Sequence, residues 1–214
     1  IIIWTTTPWT MPGNRAVAYG KDIDYSLIEI TSVDEGSLAK IGDKIIIAKE
    51  LVEDVMKEIS VLSFNSSDTL KGSDFAGTVL AHPLNNNGYE HEVLLLEADF
   101  VTTDQGTGFV HIAPGHGADD FELGRQNNLP IPETVSDNGI LNSDLPLLGG
   151  LRVLKDNEII ADIMSEHNAL IGRGKLNHSY PHSWRSKAPL VFRTTPQWFI
   201  SMTTNNLRDT SLKA

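Results

Sequence analysis

The hydrophobic positions of this chain recur with two periods, and the change from one to the other marks its predicted elements. Residues 1–4 form an apolar, largely β-branched run that predicts a strand, which the hydroxyls, two prolines and glycine of residues 5–14 must end. Residues 15–19, 25–31 and 44–48 predict short strands, with Gly20-Lys21-Asp22 as a turn between the first two. Over residues 49–59 the period lengthens to that of a helix. Leu51, Val52, Val55, Met56 and Ile59 share one face, and Glu50, Glu53, Asp54, Lys57 and Glu58 the other. Residues 63–74 are polar and predict irregular structure, while 77–81 and 92–98 predict strands around a connection whose Asn87-Gly88 pair signals a turn.

Residues 107–112 predict another strand, running into Ala113-Pro114-Gly115-His116-Gly117. That segment is a loop, because proline fixes φ and lacks a donor while glycine permits positive φ. A short helix is expected over 120–128, N-capped by Asp119 or Asp120, where unpaired backbone N–H groups would favour the ionised carboxylate. Residues 129–150, rich in Pro, Gly and Asn, predict an excursion over the surface. Asp156 predicts the cap of a helix ending near Asn168, with Ile159, Ile160, Ile163 and Met164 on one face, and 170–176 reads as extended. The aromatic-, proline- and arginine-rich residues 178–202 suggest a docking or connecting segment.

Composition narrows the class. A chain of 214 residues, 40% hydrophobic and 21% charged, can bury one sizeable core. Its 17 Lys plus Arg against 28 Asp plus Glu leave a formal charge of −11, the wrong sign for strong unaided nucleic-acid binding, so any RNA contact must be local. The absence of Cys excludes disulfides and thiolate metal sites and fits a reducing, cytoplasmic setting. The apolar start is too short for a membrane span and lacks the features of a signal peptide.

Candidate chemistry concentrates in GTGFVHIAPGHGADDF, residues 106–121, where two histidines and two adjacent carboxylates follow a strand. His111 and His116 with Asp119 or Asp120 could ligate zinc or a similar ion, although a five-residue His-to-His gap across a Pro-Gly loop matches no helical metal motif. Gly106 and Gly108 are too sparse for a phosphate-binding loop, and no Gly-Lys-Ser/Thr follows. His82, His91, His167, His178 and His182 lack a comparable setting and read as surface or locally hydrogen-bonded residues. The hydroxyls of Thr5, Thr6, Thr7 and Thr10 can donate and accept, and so could orient water or an ester carbonyl. They could equally be β-formers at a strand end.

Three segments in order, WTTTPWTMPGN at 4–14, GTGFVHIAPGHGADDF at 106–121 and SYPHSWRSKAPLVFRTTPQWF at 179–199, resemble the editing insertion of bacterial-type isoleucyl-tRNA synthetases along essentially the whole chain. The related valyl and leucyl domains typically carry Arg after the leading threonines, where this chain has Thr7-Pro8-Trp9. The resemblance implies an α+β, β-rich fold with a barrel-like core and peripheral helices, in a single editing domain over 1–214. Within it, 1–14 would be a leading strand and Thr-rich peptide, 15–177 the editing core and 178–214 a return towards an absent catalytic domain.

The implied activity is post-transfer hydrolysis of valine mischarged onto tRNA for isoleucine. A methylene is worth only ~1–3 kcal/mol of discrimination, isoleucine against valine being the standard example, so a second site must admit valine and exclude isoleucine sterically. By motif position, Asp120 would pair with the substrate α-ammonium, with Asp119 its rival. His111 would border the aminoacyl side chain, Thr5, Thr6 and Thr7 would position ester or water, and Thr10 and Gly108 would complete the binding surface. No covalent nucleophile, cofactor or metal is expected for editing. His-Ile-Gly-His and Lys-Met-Ser-Lys-Ser do not occur, so the chain is not expected to ligate, and ATP and Mg²⁺ would belong to the missing aminoacylation part. The expected partners are the 3′ end of tRNA(Ile) carrying valine and the rest of the same synthetase, with neither membrane nor DNA. A metal-dependent hydrolase using His111, His116 and an Asp, or a non-catalytic docking module, remain the alternatives.

Overall fold

A computed structural model describes residues 1–176 and 179–214 of the chain. His178 therefore lies outside the described residues. Strand pairing builds two sheets. In the first, β1 (Ala16–Tyr19) runs parallel to β6 (Glu92–Glu97) and antiparallel to β7 (Phe109–Ile112), and β5 (Val79–Ala81) adds to the far side of β6, giving the order β5-β6-β1-β7. The second has β2 (Asp24–Val33) between β3 (Lys44–Ala48) and β4 (Val61–Lys71), all antiparallel. Among the described residues no ladder closes one sheet onto the other. The β-rich α+β expectation is met by two open sheets rather than by a closed barrel.

The sheets share a core because both carry alternating β-branched and aromatic positions. Tyr25, Ile28, Ile30 and Ile47 from the second sheet pack with Val17, Val93, Leu95 and Phe109 from the first. Helix α1 (Val52–Glu58) covers this cluster with Val52, Val55 and Met56, joined by Leu51 before it and Ile59 after it, the stripe expected from the sequence. Backbone contacts tie the layers together: the Ala48 N–H donates to the Thr107 carbonyl at 2.9 Å, and the Tyr25 hydroxyl to the Gly108 carbonyl at 2.8 Å. Gly108 has φ +78°, and a Cβ there would stand 2.3 Å from the Ala48 Cβ, so this approach of loop to sheet requires glycine.

Several segments depart from expectation. Residues 1–4 form no strand; they have no ladder partner, and instead Ile2 and Ile3 pack against the shared core while the Ile2 carbonyl accepts the Thr107 hydroxyl at 2.7 Å. Most of the polar 63–74 stretch lies in strand β4, which needs few apolar residues because it pairs along one side only of β2 and is largely exposed. Residues 170–176 carry no strand.

Nor does the 129–150 excursion merely wrap the surface. Its Val135, Leu141 and Leu148 form a second core with Trp9, Met11, Leu84 and Tyr89, against which α3 (Asn157–Glu166) sets Ile160 and Met164. Each such fully buried side chain stabilises by about 1.5–3 kcal/mol, enough to hold an irregular segment in place. Ile159, expected on the same face, is 48% exposed. Asp156 occupies the N-cap of α3 but makes no capping bond, because its carboxylate holds Arg152 at 2.7 Å. A third cluster, Ala16, Ala18, Ile112, Leu123 and Leu129, lies under α2 (Ala118–Gln126). The chain's final helix is α4 (Leu207–Lys213), with no buried residue. Among the described residues no helix is long and apolar enough to cross a membrane.

Candidate functional site

Pro8 starts a 3-10 helix, Pro8–Gly13, whose Trp9, Thr10 and Met11 are buried. Trp9 packs edge-on against the His116 ring at 5.1 Å. With the helix anchored in this way, the threonines before it fold into a local network. The Thr7 N–H donates to Thr5 Oγ1 at 3.1 Å, the Thr5 and Thr7 hydroxyls lie 3.4 Å apart, and the Thr10 hydroxyl donates to the Thr7 carbonyl at 2.9 Å. Thr6 is exposed beside them.

Strand register brings His111 to this peptide. β7 pairs with β1 so that His111 stands opposite Val17, three residues after Asn14, which the 3-10 helix delivers to the same place. The Asn14 Nδ2 group donates to His111 Nδ1 at 2.7 Å and to the Ala16 carbonyl at 2.9 Å. With Nδ1 an acceptor, Nε2 carries the proton and donates to Thr10 Oγ1 at 3.0 Å, whose own proton is committed to Thr7. One neutral tautomer satisfies every bond. Burial, reinforced by neighbouring His82 and His116, lowers the His111 pKa to about 3, so the ring stays neutral near pH 7.

Asp120 arrives from the other side of the loop. Helix α2 begins at Ala118 with Gly117 as N-cap, earlier than expected, which places Asp119 and Asp120 in its first turn. The N-capping role expected of either Asp is not taken. Instead Asp120 Oδ1 reaches back over the loop to accept the Ala113 N–H at 2.7 Å. Its pKa is raised, not lowered as expected: burial penalises the charge, and Asp119 adds to that, more than the N–H groups of Ala113 and Asp120 relieve it. An under-compensated carboxylate is a site for a cation.

Trp4, Thr5, Thr6, Thr7, Thr10, Val110, His111, Ala113, His116 and Asp120 line one cavity of about 240 Å³. The structure thus brings together all the predicted site residues except two. Gly108 supports β7 from behind, against Ala48, and Asp119 is exposed outside the lining. His116 lines the cavity but is engaged on both ring nitrogens, donating from Nδ1 to the Phe192 carbonyl at 3.0 Å and accepting the Thr134 hydroxyl at Nε2, 2.7 Å away. The His111 nitrogens are equally occupied. Among the described residues no three His, Asp or Glu side chains converge as metal ligands.

His82 is buried and doubly hydrogen-bonded, to the Met11 carbonyl and the Leu84 N–H. His91 bonds the Asn14 carbonyl and His182 that of Tyr180. Sequence reasoning missed Asn14 and Gly117, which position the site. Asn14 carried no signal beyond its place in the Thr-rich motif, because its partner lies 97 residues away.

A family described as "Leucyl-tRNA synthetase, editing domain" matches residues 39–146. An isoleucine–tRNA ligase of Pelagibacter ubique is 48% identical over 214 residues, and one of Gluconobacter oxydans 45% identical over 225; each alignment covers 100% of this chain and 23% of the relative. This chain thus spans about a quarter of the length of these relatives. In fold, it is similar to the solved GlLeuRS-CP1, with a TM-score of 0.60 at 14% identity over 80% of this chain and 83% of that one.

Proposed function

From the premise that this chain belongs to the synthetase editing-domain family and aligns throughout with a segment of isoleucine–tRNA ligases, we propose that it hydrolyses valine from mischarged tRNA(Ile). The supporting observation is the Asp120 carboxylate, held by Ala113 beside the threonine hydroxyls and neutral His111 at one cavity.

In this reading the valyl α-ammonium pairs with Asp120, which offsets the burial penalty on the carboxylate's charge and fixes the ester. Thr5, Thr6 and Thr7 orient a water whose oxygen attacks the ester carbonyl carbon. The ribose oxygen leaves with a proton, giving valine and free tRNA. His111, neutral and held on both nitrogens, is a wall that sets side-chain size rather than a base. Isoleucine's extra methylene meets that wall, and exclusion by overlap discriminates more sharply than the ~1–3 kcal/mol of a lost contact.

The reading assigns ATP and Mg²⁺ to a ligation part of the parent enzyme, and makes the rest of that cytoplasmic chain and the tRNA 3′ end the partners. Residues 178–214, with Trp198 and Phe199 exposed, would lead back to it. Deacylation of valyl- and isoleucyl-tRNA(Ile), with and without chelator and with Asp120→Ala, tests the proposal. Selective, chelator-resistant valine release that the variant abolishes is expected. Chelator-sensitive release would move the chemistry to a metal, and equal release of both amino acids would remove the size filter.

A further inference from the structure

We infer that His116 is a positioning residue which the segment 191–194 holds in place, so that the site is correctly set only while that segment is docked. The inference rests on the editing reading above. Residues 191–194 carry neither helix nor strand, and the stretches on either side, 184–190 and 195–203, are exposed. Between them Val191, Arg193 and Thr194 are half-buried. Val191 packs on the second core, while Arg193 pairs with the Asp137 carboxylate and donates to the Val135 carbonyl at 3.4 Å. Thr194 lies beside the loop of the site, since a Cβ at Gly115 would stand 3.7 Å from its hydroxyl. Phe192 faces the other way, its side chain 54% exposed, and its carbonyl accepts the His116 Nδ1–H at 3.0 Å.

The ring transmits this docking into the site. His116 Nε2 accepts the hydroxyl of Thr134, a residue 1% exposed, so the ring carries its proton on Nδ1, the opposite tautomer to His111. Packing leaves it little freedom: Trp9 meets it edge-on, and a Cβ at Gly13 would come within 3.1 Å of its Cδ2. The His116 backbone N–H donates to the Ala113 carbonyl at 2.8 Å, closing the turn whose Ala113 N–H holds Asp120. A shift of the ring therefore moves the turn and, through Ala113, the carboxylate. Segment 191–194 is tied by these few contacts rather than by a ladder, so it opens more readily than the sheets.

Valyl-tRNA(Ile) deacylation, histidine-ring ¹⁵N NMR and melting temperature, measured on the 214-residue chain, test the inference. Arg193→Ala and Asp137→Ala loosen the clamp outside the cavity, and the Asp137 side chain is 96% exposed, so both variants should fold. Each is expected to lose the Nδ1–H signature of His116 and to slow deacylation, by about tenfold in Arg193→Ala. In His116→Asn the amide can take the place of Nδ1 and keep the bond to Phe192, whereas His116→Gln keeps only the acceptor for Thr134, so Asn should retain more activity than Gln. Wild-type deacylation in both clamp variants would overturn the inference and leave the editing reading standing. So would slower deacylation with the ring signature unchanged, or Gln matching Asn. A wild-type chain that releases no valine would overturn the editing reading and this inference with it.

Discussion

Gly117 leaves open the space that the Asp120 carboxylate fills. A Cβ at position 117 would come within 2.2 Å of Asp120 Oδ2 and 3.0 Å of its Cγ, although the glycine itself is extended and unstrained. The glycine is therefore there for room rather than for conformational freedom. Gly117→Ala should rotate the carboxylate off the Ala113 N–H, leaving that donor short of its partner at a cost of about 1–3 kcal/mol. The expected result is a folded chain whose valyl-tRNA deacylation falls at least about tenfold, since a displaced positioning group costs that and more. Unchanged deacylation would show that the carboxylate's position is immaterial.

Asp120 carries a stability penalty that should be visible in its amide variant. Its folded pKa lies above the unfolded value because burial disfavours the charge. The unfolded state therefore loses this proton first as pH rises, and stability falls between the two pKa values. Asp120→Asn removes the charge at constant shape, so it should unfold at a higher temperature than wild type at neutral pH while losing deacylation. Below the ordinary carboxylate range both proteins are uncharged here and their melting temperatures should converge.

Three histidines, His82 buried and His111 and His116 half-buried, should make the chain acid-sensitive in a defined window. His82, His111 and His116 all have lowered pKa values with burial as the main cause, reaching about 4 for His82 and about 3 for His111. As pH falls through the unfolded value of 6.5, the unfolded chain takes up protons that the folded chain refuses, so stability declines from there towards pH 4. Urea midpoints measured across this range should drop steadily. His82→Gln should flatten the slope, and the deacylation profile should show no limb from His111 near 6.5.

The Asn14 amide fixes which nitrogen of His111 is protonated, and so aims the Thr10 hydroxyl at Thr7. Asn14→Ala leaves Nδ1 without its donor in a buried setting and should cost about 1–3 kcal/mol of stability. It should also lower discrimination against isoleucyl-tRNA, because the ring that forms the wall loses its anchor. Loss of stability with discrimination unchanged would confine Asn14 to a structural role.

Local pattern accounts for much of this architecture. The short β-like runs of β1, β2 and β3 and the apolar stripe of α1 were legible because each depends on neighbours within a few positions. Motif order made Asp120, His111 and the threonines recognisable as a set, and the three resembling segments indicated the family. What the sequence left open depends on contacts between distant residues. Polar β4 is a strand because β2 offers it a ladder, and residues 129–150 are packed because Trp9 and α3 supply apolar surface from elsewhere in the chain.

The site divides in the same way. Residue types and order came from sequence alone, whereas the tautomer of His111, the reach of Asp120 to Ala113 and the contrasting exposure of Trp4 and Trp9 were decided by tertiary structure. Hydrogen-bond direction and desolvation are properties of a three-dimensional neighbourhood, and strand register and loop closure assemble that neighbourhood from residues about a hundred positions apart.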